Sequence, residues 1–403
     1  MGFEFLDVMF RGICVGVAAS ITVGPVAVLC IQRTLSKSRR SGIVSGLGVA
    51  CADTFMAMAA LFFYSMLQTQ IEQYNTLLRV IGGIFVVIVG VYIFAQNPVP
   101  QIRRNPVVVT REMFGTGVFL ILTGLFKKAI ISDYISLNFV DRIFDEPLLY
   151  SGFECLAGIY GYALQIYCDF SGYSDMAIGI ALLLGFRFPK NFDAPYKSAT
   201  ITEFWRRWHI SLSSWLRDYL YISLGGNRKG KLRTYGNLLV TMVLGGLWHG
   251  AAIRFILWGT LHGVALALHK LWMAVVPGAK ATGAQMHWWS RAAGVFFTFN
   301  LVCLGWLMFR AESMQTVELM LHQIFSNFNV PMIPQVIAGY AGVFALIGAG
   351  YLLHLMPGCV DRAAQRLVAN APLVLQVVMA AAMIWCVMQI KSSDIQPFIY
   401  FQF

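Results

Sequence analysis

Long apolar runs separated by short polar intervals dominate the chain. They fall near 8–31, 43–67, 77–96, 114–132, 153–170, 174–188, 236–248, 253–276, 291–309, 336–356 and 371–391. Most have the length at which a helix crosses a bilayer, roughly 17–25 residues; the shorter ones suit re-entrant or tilted segments. Backbone groups in hydrocarbon must be hydrogen-bonded internally, which leaves helices or a closed barrel. The runs are continuous and lack the period-2 alternation of barrel strands. The pattern predicts an all-α, polytopic integral membrane protein with about eleven apolar helices, including short or re-entrant ones.

Composition supports that pattern and narrows the classes. Of 403 residues, 58% are apolar and 12% charged, against roughly a quarter charged in a soluble domain. Mean hydropathy is +0.66. These values exclude a disordered chain, a basic tail that coats nucleic acid, and an ordinary cytosolic enzyme. The formal net charge of +11 resides in short segments between runs, where the positive-inside rule accounts for it, so the partner implied is the lipid bilayer and not nucleic acid. Arg33, Lys37, Arg39 and Arg40 fill the first loop, the second (Gln68 to Thr76) has no basic residue, and Arg103, Arg104 and Arg111 follow the third run. This alternation puts the first and third loops in the cytoplasm and the N-terminus outside. Lys127 and Lys128, at the end of the fourth run, fit it poorly and leave the later topology open.

Asn97-Pro98-Val99-Pro100 through Asn105-Pro106 is a proline-punctuated basic linker that divides the chain into 1–105 and 106–403. The longest polar interval, 189–235, is too short for a separate soluble domain. The cysteines (Cys14, Cys30, Cys51, Cys155, Cys168, Cys303, Cys359 and Cys386) show no CxxC spacing and lie in or beside apolar runs, which reads as small apolar thiols and not as disulfides or a metal site. Glu4 and Asp7 precede the first run where a signal peptide carries basic residues, and Leu6 replaces the Ser or Thr of a myristoylation signal.

Two segments carry candidate chemistry. In Phe204 to Tyr219, a helical period puts Trp205, Trp208, Leu212, Trp215, Leu216 and Tyr219 on one face, and Arg206, Arg207, Ser214, Arg217 and Asp218 on the other. His209 lies at the edge of the apolar side. Such a helix either anchors in the membrane interface or turns its histidine inward toward a site. In Gly245-Gly246-Leu247-Trp248-His249-Gly250-Ala251-Ala252, a histidine sits among small residues in an apolar run. An intramembrane imidazole marks a functional site by default, and a neutral one accepts a proton from a hydroxyl; a polar helix-packing contact is the alternative. His262 and His269 read as packing or interface residues. Asp169 and Asp175, flanked by apolar runs, need cationic partners, for which Arg206, Arg207 or Arg217 are the candidates. Asp53, inside the second run, suits a transporter's polar site or a helix-packing group. Gly225 to Lys231 imitates a phosphate-binding loop, but Leu232 stands where Ser or Thr must ligate magnesium.

Taken together, Asp169-Phe170-Ser171-Gly172-Tyr173-Ser174-Asp175, Asn191-Phe192 with Pro195-Tyr196, Phe204-Trp205-Arg206-Arg207-Trp208-His209-Ile210-Ser211-Leu212, Gly246-Leu247-Trp248-His249-Gly250 and the terminal Gln396 to Phe403 strongly resemble the membrane-bound O-acyltransferase family, in its alginate O-acetylase branch, from about residue 107 onward. The resemblance implies that His249 is the essential histidine and His209 the second motif histidine. Asp169, Asp175, Trp205, Arg206, Arg207, Trp208 and Trp248 are then substrate-binding or structural. It also implies no bound cofactor or metal, a cytoplasmic thioester donor such as acetyl-CoA or an acylated carrier protein, and a polysaccharide or other hydroxyl acceptor. A periplasmic acetyl-transfer partner protein and a multi-pass location in the bacterial inner membrane follow from the same likeness. Residues 1–105 differ: Gly24-Pro25, Leu29 to Leu35, Ser45-Gly46-Leu47-Gly48 and Ala52-Asp53 resemble the first half of a lysine-exporter (LysE/RhtB) protein. The competing readings are therefore an amino-acid or metabolite exporter and an inactive fusion product.

Overall fold

A computed structural model describes residues 109–250, 252–276 and 287–390, all within one compact unit. The first three apolar runs, the 97–106 linker, Asp53, the charge alternation of the first loops and the terminal Gln396 to Phe403 lie outside the described residues. The described residues are all helical, with no strand among them. In order, the helices are α1 (Arg111–Asp145), α2 (Gly152–Leu183), α3 (Ile201–Arg207), α4 (Ile210–Trp215), α5 (Lys231–His249), α6 (Ile253–Val275), α7 (Trp288–Arg310), α8 (Met314–Ser326), α9 (Ile333–Gly339), α10 (Ala341–Leu355), α11 (Gly358–Asn370) and α12 (Leu373–Ile390). Among them α1 and α7 are long and apolar enough to cross a membrane, and up to four spans result if the bent pairs α9–α10 (92°) and α11–α12 (117°) each count as one.

α1 starts at Thr110, whose side chain accepts from the Met113 N–H at 3.1 Å, and it passes through two π-helical stretches, Phe126–Ser132 and Ser136–Val140. α2 begins with a reciprocal capping box in which Glu154 and Ser151 satisfy each other's backbone N–H groups. The sequence predicts two runs here, 153–170 and 174–188; the structure joins them into one 32-residue helix, about 48 Å long. The polar interval between the runs stays helical because its carboxylates meet lysines and its glycine meets a neighbouring helix.

That neighbour is α1. Gly117 faces Gly179 and Gly124 faces Gly172, so the two helices run antiparallel and touch through glycines seven residues apart on each. A Cβ added to Gly172 would sit 2.7 Å from the Gly124 carbonyl oxygen, and one on Gly179 would sit 2.7 Å from that of Gly117. Small residues allow this close backbone approach where lipid supplies no hydrophobic drive between helices. Gly172→Ala should therefore destabilise the folded protein by about 1–3 kcal/mol, read as a lowered thermal midpoint in detergent. Gly236→Ala, whose Cβ would meet nothing within 4 Å, serves as the control and should leave the midpoint in place.

α5 and α6 pair by the same device: a side chain at Gly246 would overlap the Phe255 carbonyl, and one at Gly259 the Met242 carbonyl. The interval 189–235 is not a surface loop throughout, because Pro195, Tyr196 and Trp208 are buried in the core. The Tyr196 hydroxyl donates to the Ala163 carbonyl (2.5 Å) and accepts from Trp306 Nε1 (3.1 Å), while its backbone N–H donates to His354 Nε2 (3.1 Å). One aromatic tyrosine thus ties this interval to α2, α7 and α10. Of the described cysteines, Cys155, Cys168 and Cys303 are buried free thiols.

Candidate active site

The amphipathic helix expected over 204–219 does not exist as one element. α3 ends at Arg207, Trp208 is extended, and His209 takes a left-handed backbone (φ 43°, ψ 58°) before α4 starts at Ile210. The break turns Trp205 and Trp208 into the core and leaves Tyr219 exposed, so the aromatic residues do not form a single interfacial face. Histidine tolerates the left-handed region better than most residues, yet the conformation still requires support from its surroundings. That support is the irregular segment 191–193: Ile210 N donates to the Asn191 carbonyl and Asp193 N to the Arg207 carbonyl, each at 2.9 Å.

His209 is held among aromatic rings, with Phe170 edge-on at 4.6 Å between centroids and Phe192 stacked at 6.4 Å. Its Nδ1 lies 3.2 Å from Asn191 Oδ1. Burial pulls its ionisation down to about 4, so the imidazole is neutral at physiological pH.

His249 is the last residue of α5, half-buried, with Trp248 (4.8 Å), Phe309 (5.0 Å) and Trp258 (5.2 Å) around its ring. The glycine contact at Gly246 brings the start of α6 against this end of α5. Arg254, the second residue of α6, donates from Nη1 to the carbonyls of Phe309 (2.9 Å) and Ala311 (2.6 Å), and its guanidinium lies 4.4 Å from the Phe255 ring centroid. It fixes two of the rings near His249. An arginine just inside an apolar run was the available signal for it in the sequence.

An aromatic path joins the two histidines. From Phe192 it runs to Trp208 (5.1 Å), Trp306 (4.8 Å), Phe309 (5.6 Å) and His249 (5.0 Å). Trp248 and Trp208 belong to this cluster directly, and Trp205 reaches it through Trp258 at 5.7 Å. His262 is enclosed by Trp205 (5.1 Å) and Trp258 (4.9 Å), and His269 Nδ1 pairs with Thr202 Oγ1 (2.8 Å), both in packing positions.

The expected arginine partners of Asp169 and Asp175 are replaced by lysines of α1. Lys127 pairs with Asp175 at 2.7 Å, and Lys128 bridges Asp133 at 2.8 Å and the buried Asp169. The arginines are engaged or exposed elsewhere: Arg207 with Glu203 (2.9 Å) and Asp193 (3.5 Å), Arg217 with Asp218 (2.7 Å), and Arg206 exposed. This also resolves the misfit of Lys127 and Lys128 with the charge alternation. They are there to neutralise carboxylates on α2, which the close α1–α2 approach puts within reach.

The described residues therefore outline an all-helical membrane body with two imidazoles in an aromatic interior. Residues 94–314 match the family model of the membrane-bound O-acyltransferases, and the chain belongs to that family. Residues 17–131 match the model of the LysE type translocators, overlapping the first match over 94–131. The chain is 48% identical over 217 residues to "Probable alginate O-acetylase AlgI" of Pseudomonas fluorescens, covering 54% of this chain and 42% of that one. Against the peptidoglycan O-acetyltransferase of Helicobacter pylori the identity is 39% over 230 residues (57% and 42% of the two chains), and against the teichoic acid D-alanyltransferase of Bacillus subtilis 30% over 213 residues (50% and 52%). The chain spans between two-fifths and about half the length of these relatives.

Proposed function

We propose that the protein is an O-acetyltransferase that moves acetyl groups from a cytoplasmic thioester donor, acetyl-CoA or an acylated carrier protein, to hydroxyls of an envelope or exported polysaccharide. It works as a multi-pass protein of the bacterial inner membrane, with 106–403 as the acyltransferase body and 1–105 as an exporter-like segment. The observation that carries this reading is the convergence of His249 and His209 on one aromatic cluster. His249 accepts the proton of the acceptor hydroxyl as its oxygen attacks the thioester carbonyl; the tetrahedral intermediate then expels the thiolate, which takes the proton back from His249. His209 positions the acceptor or stabilises the developing charge. A periplasmic protein that carries the acetyl group onward is a compatible partner.

The test is acetyl transfer from labelled acetyl-CoA or acetylated carrier protein into polysaccharide by membranes containing the full chain, against membranes lacking it. His209→Ala should insert normally and lower transfer roughly tenfold, the scale of a lost positioning contact. If transfer vanished in His209→Ala but survived in His249→Ala, the two roles would be exchanged. The match over 17–131 supports a second reading, export; its sign would be amino-acid efflux that depends on Asp53, in membranes with no acetyl transfer.

A further inference from the structure

We propose that Asn191 is a positioning residue that holds His209 in the tautomer protonated on Nδ1, so that Nε2 is the hydrogen-bond-accepting nitrogen. The inference rests on the acyl-transfer reading of the site for its catalytic meaning, but not for its geometry. Three groups meet Asn191 Oδ1: the backbone N–H of Ser211 (3.2 Å), the Ser211 hydroxyl (2.9 Å) and His209 Nδ1 (3.2 Å). A backbone N–H only donates. It therefore identifies this atom of the Asn191 side chain as the amide oxygen, and leaves Nδ2 to donate to Ser174 Oγ at 3.3 Å. An amide oxygen only accepts, so Nδ1 must carry the proton.

The second neighbour of Nδ1 leads to the same answer. Ser211 Oγ lies 3.3 Å from it, and its hydroxyl, directed at Asn191 Oδ1 at 2.9 Å, leaves a lone pair for Nδ1–H. A bare Nδ1 would set its own lone pair against that of the amide oxygen 3.2 Å away. With burial keeping the ring neutral, the single ring proton is on Nδ1 and Nε2 is unprotonated.

The same residue sets the backbone on which the ring stands. The Asn191 carbonyl accepts from Ile210 N at 2.9 Å, directly after the left-handed His209, so one asparagine supports both the break between α3 and α4 and the ring orientation beyond it. Through Ser174 it is also tied to α2. This is the orienting role that the third member plays in a nucleophile–base–orienter arrangement, filled here by a neutral amide. A neutral orienter fixes the tautomer without stabilising the imidazolium, which suits a histidine that must stay uncharged and accept a hydrogen bond from a substrate hydroxyl.

The experiment uses the full chain in nanodiscs with 15N-labelled histidine, the His209 signals being assigned by their loss in His209→Phe. Imidazole 15N shifts separate protonated from unprotonated ring nitrogens. Wild type should show protonated Nδ1 and unprotonated Nε2. Asn191→Asp keeps an acceptor and should keep that pattern, while Asn191→Leu removes it and should move the proton wholly or partly to Nε2. In the membrane assay Asn191→Leu should lose up to about tenfold in turnover, no more than His209→Ala loses, with KM little changed, and Asn191→Asp should recover most of it. A wild-type His209 protonated on Nε2, or an Asn191→Leu spectrum identical to wild type, would overturn the proposal. So would a shifted tautomer with undiminished turnover. Because the spectra are read without substrate, the expected shifts in a chain that proves devoid of transferase activity would sink the acyl-transfer reading and leave the tautomer assignment standing.

Discussion

His249→Ala should abolish acetyl transfer, by 100-fold or more on the scale of a lost general base, while membrane insertion and yield stay at the wild-type level. The side chain is half-buried at the C-terminal end of α5 and is bordered by the rings of Trp248, Trp258 and Phe309. Removing it deletes the proton acceptor and leaves the glycine contacts that join α5 to α6 intact, because those run through Gly246 and Gly259. His249→Gln is the informative companion. It retains volume and hydrogen-bonding capacity but cannot take a proton near neutral pH, so it should be as inactive as the alanine variant. The measurement is acetyl incorporation per unit of folded protein, with folding followed by a monodisperse elution profile. A variant that kept most of the wild-type incorporation would remove His249 from the mechanism.

Lys128→Met should be the most destabilising of the charge changes, by about 3–5 kcal/mol. Lys128 bridges Asp133 and Asp169, and Asp169 is only 2% exposed. Methionine matches the length of the lysine stem, so the loss would come from the carboxylates left without their cation and not from a cavity. The double variant Lys128→Met/Asp169→Leu should recover a large part of the stability, since a buried pair replaced on both sides by apolar groups is often neutral. Thermal midpoints of the two single variants and the double variant give the coupling. Additive losses would show that the two groups do not act as a pair. Lys127 and Asp175 form a separate pair at 2.7 Å and provide the internal reference, since they should hold the helices together in every variant.

The helical character of the chain was legible from its apolar runs, because internally bonded helices are the economical way to bury so continuous an apolar sequence. His249 stood out too, as an imidazole among small residues in such a run, though its aromatic surroundings come from α6 and α7. Helix boundaries were less legible. The polar interval from Asp169 to Asp175 reads as a gap between two spans, yet α2 continues through it, since the groups that neutralise it come from Lys127 and Lys128, some 40 residues earlier in the sequence. Local pattern holds no record of such a partner. The misfit of those lysines with the charge alternation was its only trace.

The 204–219 segment marks the boundary between the two kinds of information. Its helical period is real in α3 and α4, and the sequence by itself determined that Trp205, Trp208 and His209 belong together in a chemically informative stretch. Whether that stretch is one helix lying on a membrane or two helices bent into a core was decided by contacts from elsewhere: the Asn191 carbonyl on Ile210, the Asp193 N–H on Arg207, and Trp306 against Trp208. The physical reason is that a left-handed residue at His209 is unfavourable in isolation and becomes stable only when distant segments satisfy the backbone groups that the break exposes. Sequence periodicity reports the cost of local conformations. The tertiary structure alone supplies the bonds that offset it, and with them the orientation of the imidazole.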